Sequence, residues 1–523
     1  MQRSFILILI LVLLLTCSLS IHGQSRISTA EDRAALADYI IEKTKIRAAR
    51  SSIKEQVLDF DPIEEMMAVK SEVVNASSEE ELYYALMKLS AARRDRHLSI
   101  DQVEGGLQLP PIEEGTAPIR FHPDYSEDEY FVFVSDLGAD IGKHTKKTPS
   151  IGDKLLTING MPADEYMAEV KQYTRHSNLA NFWRRTAYGL SEKSDNLPAS
   201  FYGSTLQLTL EDEEGTWYDI DLPYLDEVDW QYGRRVITEY PGYELAWETD
   251  SFHLHIPTDP ANKTIVLWWY GFRSDLQDAT DRLVDYAAEN DMLDYNIIID
   301  GIDSRGGSQG AYALARMSPK PFITTGGNLK LSDITDDFIA GYTERYLSEK
   351  SIMDGESVET DNGKWVMDWF HGPVLQGLAD GQAYSNNTPF KCAHLPHYSD
   401  WVMKPADQHF SGKLAIMLGP WGGSHLSQFA AMIIDNDLGY AIGMPDGGYS
   451  NTWEWSEVLH FPISGQPVVE FMWNIGHTIR PNGQILEGNP PVVDEFIPVT
   501  KYNYLDYKLE LLKKAQNWLR KEQ

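Results

Sequence analysis

The spacing of apolar residues changes character along this chain. Between positions 30 and 94 they recur every three or four residues, the interval of an amphipathic helix, and divide into helices over 30–49, 63–74 and 79–94. The third opens on Ser78-Glu79-Glu80-Glu81, a capping-box pattern, and would bury Leu82, Ala85, Leu86 and Leu89. From 118 to about 225 the period shortens toward two. Strands are predicted at 130–134 and 205–210, with a turn, a strand and a tight Asn159-Gly160 turn within 150–162, and a helix at 163–173. The stretch 226–258, rich in Trp, Tyr and acids, reads as linker with β-structure.

Beyond 262 the pattern changes again. Continuous apolar runs at 264–270, 295–300 and 413–418 alternate with helical runs at 275–290, 311–317 and 425–434, as in a parallel sheet buried on both faces. A last amphipathic helix is predicted over 502–521, with Leu505, Leu509, Leu512, Ala515 and Leu519 at helical spacing. The predicted class is α/β, or α+β multidomain. It comprises a helical region at 26–110, a β-rich insert at 111–228, linker and β-structure at 229–262, and an α/β core at 263–523 interrupted by a polar, aromatic insertion at about 319–409.

The chain has 523 residues, ample for several cores, and 42% of them are hydrophobic, as in a globular protein. Its 45 basic against 78 acidic residues give a net charge of −33, which opposes binding to nucleic acid or to an anionic membrane. Positions 1–25 read as a signal peptide: Arg3, an apolar stretch at 5–15, and Ser20 or Gly23 before cleavage. The apolar stretch is shorter than the roughly 20 residues of a membrane span, so the expectation is an exported protein, periplasmic or extracellular, without a membrane span after cleavage. Lipid attachment at Cys17 fits less well because Thr16 precedes it. Removal of the signal leaves Cys392 alone, so neither an internal disulfide nor a cysteine zinc site is expected. Asn75, Asn262 and Asn386 stand in glycosylation sequons.

Gly422-Gly423-Ser424-His425 links a predicted strand to a predicted helix, where a tight turn would present the Ser424 hydroxyl and backbone N–H groups could stabilise an oxyanion. A plain serine cap on a glycine turn is the structural alternative. Asp303-Ser304-Arg305-Gly306-Gly307-Ser308-Gln309-Gly310 also joins a strand to a helix. It lacks the Gly-Lys-Ser/Thr ending of a phosphate loop, and its Gly306 and Gly307 N–H groups are candidate oxyanion donors. His97 follows a helix end in Arg94-Asp95-Arg96-His97. His425, adjacent to Ser424, is a poor rival base because neighbouring helical side chains diverge by about 100°. Ser427 fits less well than Ser424.

Taken in order, the helix ending in Asp95-Arg96-His97, the insert, the aromatic strand followed by Phe272, Ile297-Ile298-Ile299-Asp300 with Ser304-Arg305-Gly306-Gly307, the Ser424 motif and Gly483-Gln484-Ile485-Leu486-Glu487-Gly488 resemble the tail-specific (C-terminal-processing) serine peptidases. The resemblance covers roughly residues 80–515 and points to the tricorn-core and chlamydial-protease-like branch. Within the insert, the run from Gly152 to Gly160 resembles the signature of PDZ domains, which bind extended peptides at a sheet edge. The resemblance implies a ClpP/crotonase-like core without cofactors, a protein or peptide substrate, and room for oligomerisation. It also implies Ser424 as nucleophile, His97 as base, Glu487 as the acidic member, and an oxyanion hole near Gly306, Gly307 and His425. A Ser/Lys dyad is disfavoured, because 443–452 holds no lysine.

Three departures bear on this. Arg96 is bulky where the family often has a small residue, Ser424-His425-Leu426-Ser427 is an unusual serine motif, and Glu454, Glu457 and Glu470 also follow the serine. The alternative function is a catalytically inactive relative that binds peptides through the PDZ-like insert. A zinc hydrolase using His394 and His397, or the strand pair His253 and His255, is a third reading; neither pair has zinc-peptidase spacing, and no metal is expected.

Overall fold

The computed structural model describes residues 27–126, 129–232, 240–347, 364–389 and 400–521. The signal peptide, Cys17, Cys392, His394 and His397 lie outside the described residues. Four helices begin the chain: α1 Ala30–Arg47, α2 Ser52–Leu58, α3 Pro62–Asn75 and α4 Glu79–Ala91. Helix α4 buries Leu82, Ala85, Leu86 and Leu89 as its spacing predicts. Only half of its capping box forms. Ser78 Oγ accepts the Glu81 N–H at 3.1 Å, but the Glu81 carboxylate reaches back to Ser77 instead of Ser78.

The insert is an antiparallel sheet built on β1 Ile119–Asp124, β2 Phe131–Gly138, β3 Lys154–Ile158, β4 Thr205–Glu211 and β5 Trp217–Pro223, with helices α5 Ala163–Lys171 and α6 Leu179–Gly189. After β3 the chain turns through Asn159 and Gly160, both at positive φ (50° and 80°), as the Asn-Gly dipeptide requires. Helix α6 escapes the sequence pattern because its buried positions include Asn181 and Thr186 beside Phe182, whereas Trp183, Arg184, Arg185 and Tyr188 are only partly covered.

The core sheet contains β6 Tyr243–Glu248, β7 Phe252–Pro257, β8 Thr264–Trp269, β9 Asn296–Asp300, β10 Leu414–Leu418, β11 Gly439–Gly443 and, past the hairpin β12 Glu454–His460 and β13 Pro467–Asn474, the edge strand β14 Glu495–Phe496. From β8 to β14 neighbouring strands run parallel, whereas β6, β7 and β8 pair antiparallel. Strands β9 and β10 are buried throughout, which explains the apolar runs Ile297 to Ile299 and Leu414 to Leu418. Helices α7 Leu276–Glu289, α8 Gly310–Met317 and α9 His425–Asp435 share an apolar core with one face of the sheet. The C-terminal helix α10 Tyr507–Lys521 shares the core of the other.

Helix α10 starts five residues later than its pattern predicts, and its face is rotated. Tyr507, Leu511, Leu512, Ala515 and Leu519 are buried, while Leu505 is exposed. The segment predicted as a polar insertion shares a core with α1, α3, α4 and the β12–β13 hairpin through Leu329, Phe338, Trp369 and Phe370. Among the described residues no helix is long and apolar enough to cross a membrane.

Candidate active site

Strand β10 ends at Leu418, and the chain turns through Gly422 and Gly423 into α9. Ser424 stands at the start of that helix with φ 58° and ψ −123°, a backbone conformation that L-residues avoid and that is kept only where the surroundings impose it. Its N–H donates to Tyr449 O at 2.6 Å, and it is partly accessible while Gly422, Gly423 and 425–430 are buried. The turn therefore lifts one hydroxyl out of an otherwise buried segment.

The glycine turn after β9 lies against it. A Cβ on Gly306 would sit 2.7 Å from Ser424 Cβ and 3.1 Å from its Oγ, so only glycine allows this approach. Gly307, at φ 144°, is pressed on Phe272, whose carbonyl oxygen would be 1.7 Å from an added Cβ. Among the described residues no acceptor takes the N–H of Gly306 or Gly307.

His425 is buried, and its Nε2 accepts the Gly310 N–H at 2.7 Å, capping the first turn of α8. Its ring meets Phe272 edge-on at 4.8 Å. The imidazole is thus engaged away from the Ser424 hydroxyl. Ser427 is fully buried and donates to Asp446 Oδ1 at 2.5 Å. That carboxylate also takes the Gly448 N–H, and burial raises its pKa from 3.8 to about 6.

His97 arrives from the other side. Just past the end of α4, Arg94 takes the left-handed region (φ 46°), and buried Asp95 accepts the His97 N–H at 3.0 Å. The imidazole packs edge-on against Tyr449, with ring centres 5.1 Å apart. Tyr449 thereby touches both candidates: its carbonyl holds the Ser424 backbone and its ring flanks His97. No hydrogen bond joins His97 to Ser424 among the described residues.

The two acids divide. Glu454 Oε1, at the start of β12, lies 3.7 Å from His97 Nδ1, and its side chain is one-third exposed (34%). Loss of surrounding water raises its pKa, with His97 pulling the other way. Glu487 is buried, and among the described residues no hydrogen bond or ion pair joins it to the imidazole. Its Oε1 takes Lys54 Nζ at 3.0 Å and its Oε2 the Ser450 N–H at 2.9 Å. Lys54 also donates to Arg94 O, and Ser177, close to Glu487, accepts the Arg96 N–H. Glu487 thus anchors the backbone that carries His97 from both sides. Its pKa is raised by burial and by Asp95, against Lys54.

Lys54, Tyr449, Ser450 and Ser177 carry no sequence signal that would have marked them. Asp95 lies within the Asp-x-His motif, and Glu454 stands among the downstream acids already noted. Of the strand pair His253 and His255, His253 faces Glu248 at 3.8 Å, while His255 is buried against Tyr240. Among the described residues no group of three metal-ligating side chains gathers.

No protein-family model matches the chain, and no curated protein matches it in sequence. Solved structures match it in fold. Mature CPAF, a chlamydial protease, superposes with a TM-score of 0.68 at 14% identity, covering 93% of this chain and 97% of that one. Mature CPAF complexed with lactacystin gives 0.68 at 14% identity over 94% and 99%. A CPAF mutant gives 0.67 at 13% identity over 94% and 98%.

Proposed function

Starting from the tail-specific serine peptidase fold that this chain carries almost end to end, we propose that it is an exported serine endopeptidase acting through a Ser424 acyl-enzyme. The observation that carries this reading is Ser424 itself. It is held at φ 58° on a strand-to-helix turn, lifted from a buried segment and faced by a glycine backbone with uncommitted N–H groups.

In this mechanism Ser424 Oγ attacks the peptide carbonyl carbon while His97 takes the hydroxyl proton. The charge that develops on the carbonyl oxygen is met by N–H groups near Gly306 and Gly307, with the His425 N–H at the start of α9 as a further donor. His97 then returns the proton to the leaving amine as the C–N bond breaks, and water repeats the sequence to release the acyl group. Glu454 faces the imidazole and favours its charged form. Glu487 is a positioning residue, acting on His97 through Lys54 and the 94–97 backbone. The PDZ-like insert would hold an extended stretch of substrate at a sheet edge.

The test is intact mass after treatment with a fluorophosphonate. One adduct on the wild type, absent from Ser424→Ala and slowed in His97→Ala, is expected. A folded wild-type protein that binds peptides but takes no adduct would overturn the reading in favour of a peptide-binding relative.

A further inference from the structure

A cavity of about 470 Å3 opens beside the candidate site, between the end of α4, helices α5 and α6, and Trp421. Arg96, Arg175 and Arg185 line it. In a chain with a net charge of −33 this is an unexpected concentration of positive charge. Several arginines elsewhere find acids: Arg47 pairs with Asp333 and Glu457, Arg50 with Glu55 and Asp61, and Arg480 with Asp435.

None of the three cavity arginines makes an ion pair among the described residues. Arg185 Nη2 donates to Trp421 O and to Tyr449 Oη, both at 3.1 Å, and its Nε is buried with no acceptor. Arg175 Nη1 donates to the His97 carbonyl at 3.5 Å, and Asp101 and Asp95 attract its charge from beyond ion-pair distance. Burial and the charges of Arg185 and Arg175 hold Arg96 down at about 10. Two acids share the wall. Asp101 is exposed and takes the Ser99 hydroxyl at 2.7 Å, and burial pushes Glu192 toward its neutral form.

We propose that this arginine-lined cavity is a substrate subsite for an acidic side chain of the peptide. A carboxylate entering it would supply the partner the guanidinium groups lack and relieve their mutual repulsion, and the guanidinium fork suits its two oxygens. The cavity is coupled to the chemistry by contact. Tyr449 accepts from Arg185 at its hydroxyl, holds the Ser424 N–H at its carbonyl and flanks His97 with its ring. A peptide anchored there would lie along the wall from which Ser424 rises. The proposal rests on the peptidase reading, and its test separates the two.

The probes are decapeptide libraries with Glu or Gln fixed at successive positions, each with a free or amidated C-terminus. Binding to the Ser424→Ala protein is read by fluorescence anisotropy, and kcat/KM is read on the wild type. Removing the recognised carboxylate is expected to weaken binding about tenfold or more, the worth of a charge-assisted hydrogen bond. In Arg96→Gln and Arg175→Gln, checked for folding by thermal melting, that gap is expected to close to about twofold, with partial return in Arg175→Lys. A gap at one Glu/Gln position is expected, and a gap confined to the acid/amide pair would assign the cavity to the chain end and overturn the proposal. Equal affinity of Ser424→Ala for every such pair overturns the subsite, whether or not the wild type takes the fluorophosphonate. A preference for Glu over Gln in a protein that takes no adduct leaves the subsite standing and overturns the peptidase reading alone.

Discussion

Lys54 Nζ lies 3.0 Å from Glu487 Oε1, with side-chain exposures of only 6% and 2%. Taking either charge away strands the other in a dry interior, which costs on the order of 3–5 kcal/mol. Lys54→Met is therefore expected to lower the thermal midpoint by several degrees. The double variant Lys54→Met/Glu487→Gln, which keeps an acceptor for the Ser450 N–H without an unpaired charge, should recover most of the loss. Melting curves of the three proteins check this.

Glu454→Gln separates the two acids. Its side chain faces His97 and is partly in solvent, so the substitution should leave the melting temperature nearly unchanged while kcat falls by at least about tenfold. Glu487→Gln should instead lower the melting temperature together with activity. Activity and melting measured on both variants decide it. Full activity in Glu454→Gln would remove that residue from the mechanism.

Asp446 gives a pH dependence. Burial raises its pKa from 3.8 to about 6, so between those values the folded protein binds a proton that the unfolded chain does not. Its contribution to stability is intact below pH 4 and is lost as pH rises through 6, by on the order of 3 kcal/mol for about two pKa units. In Asp446→Asn this slope is absent. The melting difference between variant and wild type should shift in favour of the variant from pH 4.5 to pH 7.5.

Ser424→Gly tests the strained turn. Glycine accepts φ 58° without the penalty a serine pays, so the variant should gain up to about 1 kcal/mol while losing all fluorophosphonate labelling. Loss of stability would mean that the serine side chain holds the turn through contacts worth more than the strain.

Gly306→Ala places a methyl 2.7 Å from Ser424 Cβ and should slow labelling by at least about a hundredfold, the scale of losing one oxyanion donor. His425→Leu leaves the Gly310 N–H without its acceptor and should cost about 1–3 kcal/mol while the folded fraction still labels, since its imidazole caps α8.

The core strands were readable because β9 and β10 are buried on both faces, which leaves Ile297 to Ile299 and Leu414 to Leu418 as unbroken apolar runs. The Asn159-Gly160 turn was readable because few dipeptides accept positive φ twice. The contacts around the candidate site were not. Lys54 and Glu487 are 433 residues apart, and a lysine on a short N-terminal helix reads as surface until the fold buries it. Arg175 and Arg185 look like ordinary solvated cations in sequence; only the packing of the insert against Trp421 gathers them with Arg96. Helix α10 shows the same limit on a smaller scale. Its periodicity was visible, but which residues face inward depended on where the helix starts against the sheet.

At the centre of the core sheet, β9 pairs in parallel with β10, so Ile297 to Asp300 must wait for Leu414 to Met417 before that edge is closed. During synthesis the segment bearing His97 emerges long before Ser424, and Glu454 and Glu487 come later still. A growing chain therefore holds its proposed base for most of its elongation with no nucleophile to serve. On the proposed mechanism, the complete site exists only once nearly the whole polypeptide has been made.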